Sequence, residues 1–278
     1  LREDSGSIKY SFNNITYVSI TSWPVTIENT NPGSSNITTV QFTENMTLSN
    51  ITEGTGSNGT DLYFICGSEY ITFDGQGFDV TIDTITNYPG LIQNGTSLSN
   101  GETNITIQDI GLTTSNSSTL LIQGGWVSHT LFGKGISSGA INVNKCFSTG
   151  DIDNSSGGII GYRSFESMSG GTVTINECYS IGLIKNGPGG GIIGQEMCYL
   201  ASGGTINITN CYSTGNIQGS NAGGICGRAI GLGDLIIDQS NLTINISQCY
   251  STGDLGDLNP GGIVGSILGR KSINLTVN

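Results

Sequence analysis

The sequence predicts an all-β fold, a right-handed parallel β-helix in which short strands stack as successive coils. Three observations predict it: a cysteine-centred unit recurs four times, polar and apolar residues alternate in short runs, and 44 of the 278 residues are glycine. Alternation at every second position is typical of strands, and nothing recurs at the helical period of 3.6 residues. Glycine at this density without a Gly-X-Y period excludes collagen.

The repeated unit has three short pieces: an alternating apolar pair, then C-[FY]-S-x-G-x-[IL], then G-G-I-x-G. The four copies begin at Ile141, Val173, Ile206 and Ile244, and their cysteines are 32, 33 and 38 residues apart. No piece is long enough to bury a face alone. Identical coils must therefore stack, so that each strand pairs with its counterparts about 4.8 Å above and below.

Side-chain alternation predicts a bend after the first piece. Ile208 points inward, and the same alternation, if continued, would bury a polar set. That set is Lys145, Glu177, Asn210 and Gln248. Because burying it costs too much, a bend near Thr209 must reset the phase. After the bend, Cys211, Ser213 and Ile217 are predicted to point inward.

Stacking in register turns two repeat positions into columns. The cysteines are predicted to form a buried ladder, consisting of Cys146, Cys178, Cys211 and Cys249. The next position is predicted to form an outward aromatic stripe, consisting of Phe147, Tyr179, Tyr212 and Tyr250. Two interpretations of the stripe stay open: the rings pack against neighbouring loops, or they contact another subunit or a glycan. Cys66, Cys198 and Cys226 lie outside the ladder position, where a local disulfide remains an option.

The first half lacks the cysteine repeat but has strand-like runs between Gly, Asn, Ser and Pro turns. Predicted strands are 25–27, 39–42, 62–65, 70–75, 80–82, 104–108 and 120–122. We expect irregular, wider coils first and regular Gly-rich coils over 141–278, eight to ten in all and roughly 40–50 Å long. Residues 1–22 form an extended N-terminal segment, a possible inter-subunit strand, and 23–278 form one solenoid domain.

The composition excludes several classes of function. The formal net charge is −12 with no basic cluster, so a nucleic acid partner is not expected. No apolar run has membrane-spanning length. The seven cysteines include no C-x-x-C pair, and His129 is the single histidine, so neither a metal nor a cofactor is expected.

Thirteen N-x-[ST] sequons point to N-glycosylation, against about six expected by chance from 27 Asn and 64 Ser and Thr. They lie at Asn14, Asn36, Asn45, Asn50, Asn58, Asn94, Asn104, Asn116, Asn154, Asn207, Asn241, Asn245 and Asn274. The alternative is that strand alternation itself generates N-I-T. We expect a secreted, extracellular protein or one of a cell or virion surface, and the first residue, Leu1, agrees with a removed targeting segment.

Two resemblances follow from these motifs. The segment Tyr70–Gly77, with 90–94 and 105–109, resembles right-handed parallel β-helix proteins, over roughly residues 60–125. The repeat of the second half resembles the GLUG type of Gly-rich repeats in large extracellular and surface proteins. The first resemblance implies a fold, and neither carries catalytic residues that can be transferred to this chain.

Parallel β-helices also include polysaccharide lyases and glycoside hydrolases, which makes catalysis an alternative for this chain. Asp74, in F-D-G-Q-G, has no paired carboxylate on the next coil. Asp151 and Asp254 occupy one repeat position, but Leu183 and Asn216 replace them in the copies between. We therefore expect no enzyme, and a lyase or glycoside hydrolase is the least favoured alternative.

The sequence favours a structural subunit of an extracellular glycoprotein fibril or surface layer, with copies of itself as partners and covalent N-glycans. Its ends favour head-to-tail assembly by strand addition: Ser7–Phe12 and Asn14–Ile20 are strand-prone, and Ile273–Asn278 begins a coil without finishing it. The alternative is a glycan-binding surface adhesin. A rival interpretation of the ends is that the chain belongs to a longer repeat array.

Overall fold

In the computed structural model the chain is an all-β parallel solenoid of about seven turns, which confirms the predicted fold class. The structure describes residues 9–12, 14–17, 22–34, 36–49, 60–115, 117–232, 239, 241–266 and 274–278, and these contain no helix. The expectation of eight to ten coils was too high. In-register Ile71, Ile105 and Ile141 are 34 and 36 residues apart, and Lys9–Phe12 and Asn14–Tyr17 pair antiparallel instead of forming a coil.

Twenty-two strands are described. They are β1 Lys9–Phe12, β2 Asn14–Tyr17, β3 Val25–Ile27, β4 Thr38–Gln41, β5 Met46–Ser49, β6 Phe64–Cys66, β7 Ile71–Asp74, β8 Asp79–Asp83, β9 Ile92–Gln93, β10 Ile105–Gln108, β11 Gly111–Thr114, β12 Ala140–Asn144, β13 Phe147–Ser148, β14 Ile152–Asp153, β15 Thr172–Asn176, β16 Tyr179–Ser180, β17 Ile184–Lys185, β18 Gly203–Thr209, β19 Tyr212–Ser213, β20 Asn241–Ser247, β21 Tyr250–Ser251 and β22 Asn274–Val277.

The strands form three sides of the solenoid. Side 1 is a ten-stranded sheet in the order β2-β1-β4-β7-β10-β12-β15-β18-β20-β22. Side 2 is a seven-stranded sheet in the order β21-β19-β16-β13-β11-β8-β5. Side 3 consists of the sheet β3-β6-β9, the pair β14-β17 and a series of single parallel bridges through the G-G-I-x-G segments. Seven steps of about 4.8 Å from β4 to β22 give a length of about 34 Å.

The N-terminal strands are the exception to parallel pairing. β1 pairs antiparallel with β4 of its own chain, with Ser11 opposite Thr39, and β2 pairs antiparallel with β1. Two reversals restore the direction, so β2 runs the same way as β4 and the other parallel strands. Of the segment 1–22, residues 1–8, 13 and 18–21 lie outside the described part of the chain.

A left-handed residue makes the bend that side-chain alternation predicted. Lys145, Glu177, Asn210 and Gln248 occupy one repeat position and have φ of 53°, 54°, 54° and 54°. In each copy the strand of side 1 ends at the residue before this position, and the strand of side 2 begins two residues after it. The side chain at this position is exposed, so the chain turns from side 1 to side 2 without burying a charge.

The core is a set of apolar columns inside side 1. Ile105, Ile141, Val173, Ile206 and Ile244 lie in register on successive strands, and each is fully buried. The column two residues further on is built the same way. Stacked β-branched side chains cover one another, which explains why strands of four to seven residues suffice.

Glycine permits the close approach of coils on side 3. A Cβ on Gly158 would lie 2.0 Å from the Gly191 carbonyl oxygen of the next coil, and one on Gly191 would lie 2.0 Å from that of Gly224. Since the obstacle is backbone, no side-chain movement can make room. The second glycine of G-G-I-x-G is therefore a packing requirement.

The predicted strand at 120–122 is wrong. Leu120 makes one parallel bridge with Tyr88, while Leu121 and Ile122 are exposed. β5 and β11 were not predicted from the sequence, and both lie outside the repeated unit of the second half.

Candidate functional site

The cysteine column lies inside the corner between sides 1 and 2. Cys146, Cys178 and Cys211 are fully buried, and Cys249, on the last coil of the column, is half-buried. Each thiol lies within 3.2–3.4 Å of the carbonyl oxygen two residues earlier. Burial raises the pKa of Cys178 well above its ordinary value, so this thiol stays protonated and is a poor nucleophile.

The other cysteines do not pair either. Cys66, Cys198 and Cys226 are buried free thiols, so the optional local disulfide is not formed. Cys226 sits at a core position of side 3, between Ile193 and Val264 in parallel bridges. Among the residues that the structure describes, no cluster of three His, Cys, Asp or Glu is arranged to hold a metal ion.

The aromatic column on side 2 is a continuous face-to-face stack. Ring centroids of Phe147 and Tyr179 are 5.0 Å apart, those of Tyr179 and Tyr212 are 4.9 Å apart, and those of Tyr212 and Tyr250 are 5.0 Å apart. The planes of neighbouring rings differ by 7°, 2° and 3°. Gly111 occupies the position in register below Phe147, and its missing side chain leaves room for that ring.

This stacking limits what the column can bind. Sugar rings dock on the faces of aromatic rings, but here each inner face is covered by the next ring. The inner rings can therefore contact a ligand through their edges and, in the tyrosines, through their hydroxyl groups. Tyr250 is 51% exposed and has no described ring above it, so it presents the one open upper face of the described column.

Nine sequon asparagines have described side chains, and their surroundings differ. The nine are Asn36, Asn45, Asn94, Asn104, Asn154, Asn207, Asn241, Asn245 and Asn274. The side chains of Asn14, Asn50, Asn58 and Asn116 lie outside the described residues. Asn45, Asn241 and Asn274 are exposed, and the others except Asn94 are half-buried. Four of the nine lie on strands of side 1.

Asn94 is a structural residue in this fold. Its side chain is fully buried, Nδ2 donates to the Glu102 carbonyl at 3.0 Å, and Oδ1 accepts from the Glu102 amide at 2.6 Å. These bonds close the loop after β9. An N-glycan attached to Nδ2 would have to pass through packed protein. Glycosylation of Asn94 is therefore incompatible with the folded structure.

A polar cleft of about 430 Å³ opens beside this loop. Its walls come from three successive coils, and it was not predicted from the sequence. Lining residues include Gln93, Gln123, Lys134, Tyr162, Arg163 and Glu166. Amide, hydroxyl, cationic and carboxylate groups thus face one small volume. No periodic pattern in the sequence predicts these lining residues, because the cleft is formed by irregular loops of neighbouring coils.

A salt-bridge network holds one wall of the cleft. Arg163 Nε lies 2.7 Å from Glu196 Oε2, and the Tyr162 hydroxyl donates to the same oxygen at 2.7 Å. The Arg163 guanidinium also lies 4.0 Å from the centroid of the Tyr199 ring. Burial, and then the bond to Glu196, raise the pKa of Tyr162 above its ordinary range. Tyr162 therefore stays a neutral donor at physiological pH.

His129 is buried next to the cleft. Its Nε2 lies 3.0 Å from the Gly90 carbonyl oxygen and Nδ1 lies 3.4 Å from Gln93 Nε2, an arrangement that fits a neutral ring with the proton on Nε2. The Tyr63 ring packs edge-on at 4.4 Å. Burial lowers the pKa of His129 to about 4, although the hydrogen bond to Gly90 opposes the shift.

The candidate catalytic carboxylates, Asp74 and Asp151, each interact with other side chains and not with one another. Both Asp74 carboxylate oxygens accept hydrogen bonds from Gln76, one from the backbone N–H at 3.0 Å and one from the side-chain amide. This carboxylate therefore stabilises the local turn. Asp151 forms an exposed ion pair with Lys185 at 3.0 Å. No helix in the described ranges has the length and apolar character to cross a membrane.

No family model, curated protein or solved structure matches this chain. The parallel β-solenoid is therefore shown by the structure itself, and the GLUG-type assignment of the repeat stays a prediction.

Proposed function

We propose that this chain is the structural subunit of an extracellular glycoprotein fibril or surface layer, assembled head to tail through the two edges of side 1. One observation carries the proposal. Among the described strands of side 1, β2 and β22 lie at the edges, and β2 runs in the same direction as β22 because two antiparallel pairings, β2 with β1 and β1 with β4, restore the direction. A contact between β22 of one copy and β2 of the next would continue the parallel sheet.

The backbones of the two edges support this pairing. β2 and β22 are both four residues long and read N-I-T-Y and N-L-T-V. By backbone register, Thr16 lies in the column of Val40, which is a core column, whereas Thr276 lies in the outward column of Asn245. Backbone direction, and not a shared side-chain alternation, therefore supports the pairing. Unpaired backbone groups at such edges favour addition of another strand.

The coil at the β22 end supports the proposal through its exposed apolar surface. Val277 continues the buried column of Ile208 and Ile246, yet it is 46% exposed. Leu255 follows Ile217 in the same way on side 3 and is 55% exposed. Together with the open face of Tyr250, these side chains form an apolar end surface that a second copy would cover.

Removal of the N-terminal segment tests the proposal. Deleting residues 1–22 removes β1 and β2, and we expect soluble, folded monomers in place of filaments. A second variant, Val277→Lys, places a positive charge on the end surface and does not increase the net negative charge of the chain. Its matched control is Ile181→Lys, at a side-2 residue that is 48% exposed. Normal filaments from the deletion and from Val277→Lys would rule the proposal out.

The alternative function, a glycan-binding surface adhesin, is supported by the polar cleft instead of the aromatic column. Gln93, Gln123 and Tyr162 supply the neutral hydrogen-bonding groups that a sugar needs. Lys134 and Arg163 add cationic groups, which are themselves paired with Glu166 and Glu196. Titrating the monomeric chain with galacturonic acid oligosaccharides, with Gln123→Ala as variant, tests it. Saturable binding that Gln123→Ala weakens would favour the adhesin, and no binding would count against it.

A further inference from the structure

Side 1 gathers four sequon asparagines on its last three rungs. Asn207 on β18 lies in register with Asn245 on β20, and Asn274 on β22 lies in register with Thr243. Asn241 begins β20, four residues before Asn245. With rungs about 4.8 Å apart and about 3.3 Å per residue along a strand, all four lie within an area of about 10 by 13 Å.

Strand geometry presents the whole acceptor sequence to solvent. In N-x-[ST] the first and third residues share one face, and the middle residue takes the other. The middle residues Leu242, Ile208 and Ile246 are buried in the core, so their flanking Asn and Thr or Ser side chains point outward. Asn241 and Asn274 are exposed, and Asn207 and Asn245 are half-buried.

The polar ladder of side 1 does not require sequons. The preceding rungs β7, β10, β12 and β15 place other pairs at the columns of Asn207 and Thr209. These pairs are Thr72 and Asp74, Thr106 and Gln108, Asn142 and Asn144, and Thr174 and Asn176. All are small or amide-bearing polar residues that suit an in-register ladder, yet none makes N-x-[ST]. Sequons at these two columns are therefore confined to β18 and β20. The sequon of β22 is shifted by two residues, and its Thr276 lies in the column of Thr106, which completes the sequon of Asn104 on β10. Asn104 is thus a single sequon three rungs before β18, whereas the last three rungs hold four.

The asparagine ladder tolerates modification. Asn245 Nδ2 donates to Asn207 Oδ1 at 2.9 Å. A glycosylated asparagine keeps one N–H on Nδ2, so this bond persists after a sugar is attached. Asn94 is the internal contrast, because both its amide atoms are used inside the protein and its side chain has no exposed surface.

We infer that the outward face of β18, β20 and β22 is an N-glycan patch that keeps this part of side 1 from contacting the sides of other copies. Glycans leaving four points so close together cover the sheet over the whole patch. Growth is then directed to the ends of the solenoid. Glycan occupancy of the patch rests on the extracellular location in the proposed function, and only the direction of growth rests on head-to-tail assembly.

Site-resolved occupancy tests the patch. Protein purified from its natural source is digested, and glycopeptides are mapped before and after enzymatic deglycosylation. We expect glycan at three or four of Asn207, Asn241, Asn245 and Asn274, and none at Asn94. Two or fewer occupied sites, or a modified Asn94, would overturn the inference. Occupancy does not depend on filaments, so its failure is distinct from failure of the head-to-tail proposal.

A set of variants tests the consequence for lateral contacts. Thr209→Ala, Thr243→Ala, Ser247→Ala and Thr276→Ala together remove the four sequons and keep every asparagine. The matched control changes the same positions while keeping the sequons, through Thr209→Ser, Thr243→Ser, Ser247→Thr and Thr276→Ser. We expect side-by-side aggregates only from the first variant, measured by light scattering and electron microscopy. If the sequon-free protein stays as well dispersed as the control, the patch has no such role. Should the sequon-free chain not be secreted, enzymatic deglycosylation of the folded control supplies the same comparison.

Discussion

Tyr179 and Tyr212 stack face to face with 4.9 Å between ring centroids and 2° between ring planes. This distance matches the spacing of about 4.8 Å between neighbouring strands of the sheet. Neighbouring coils that carry an aromatic residue in register can therefore form the backbone hydrogen bonds of the sheet and the ring stack at the same time. The aromatic column follows from sequence repetition and backbone register together.

The central rings of the column stabilise the solenoid more than the outermost one. Tyr212→Ala breaks two stacked pairs and Tyr250→Ala breaks one. With about 0.5–1.5 kcal/mol for each pair plus lost burial, we expect about 2–3 kcal/mol of stability lost for the first and about 1 kcal/mol for the second. Chemical denaturation measures both, with Tyr212→Phe as a control that keeps the stack. Equal losses at the two positions would mean that stacking contributes little.

The cysteines are expected to resist thiol reagents while the chain is folded. A maleimide should label Cys249 first, because it is half-buried, and label Cys146, Cys178 and Cys211 only at the rate of unfolding. In denaturant all seven cysteines should react. Peptide mapping by mass spectrometry reads out each site. Detection of a disulfide between Cys178 and Cys211 would contradict the free thiols of the column.

Two glycines at the same repeat position differ in what lies above them. A Cβ on Gly224 would lie 2.1 Å from the Gly262 carbonyl oxygen, whereas one on Gly262 meets nothing within 4 Å. Gly224→Ala should therefore cost about 3 kcal/mol or more, because backbone must move. Gly262→Ala in the monomer should change stability by less than about 1 kcal/mol. Thermal unfolding of both variants checks this, and similar melting temperatures would show that the coils are not packed as described.

His129 should make the protein sensitive to mild acid. Its pKa is about 4 in the folded chain and 6.5 in its ordinary state, so between these values the unfolded chain binds more protons. Stability is therefore complete above about pH 6.5 and falls as pH drops to 4, by about 3 kcal/mol in all. Denaturation from pH 7 to 4 measures the slope. His129→Gln should flatten it, and an unchanged slope would assign the effect to other groups.

Repetition made the second half of the chain predictable. Because one unit occurs four times, the register of Cys178 with Cys211 could be predicted. The polar residues at Asn210 and its equivalents likewise predicted the position of the bend. The cleft around Arg163 and the antiparallel hairpin could not be predicted this way. Both depend on contacts between segments that occur once, such as Arg163 with Glu196, and alternation alone does not give the direction of β1.

Electron cryomicroscopy of assembled native material tests the head-to-tail proposal most directly. The proposal predicts filaments in which β22 of one copy pairs in parallel with β2 of the next, so that the spacing of about 4.8 Å continues across the subunit boundary. The ring of Tyr250 and the side chain of Val277 should be covered at that boundary. Filaments joined through the sides of the solenoid, or isolated monomers at all concentrations, would contradict it.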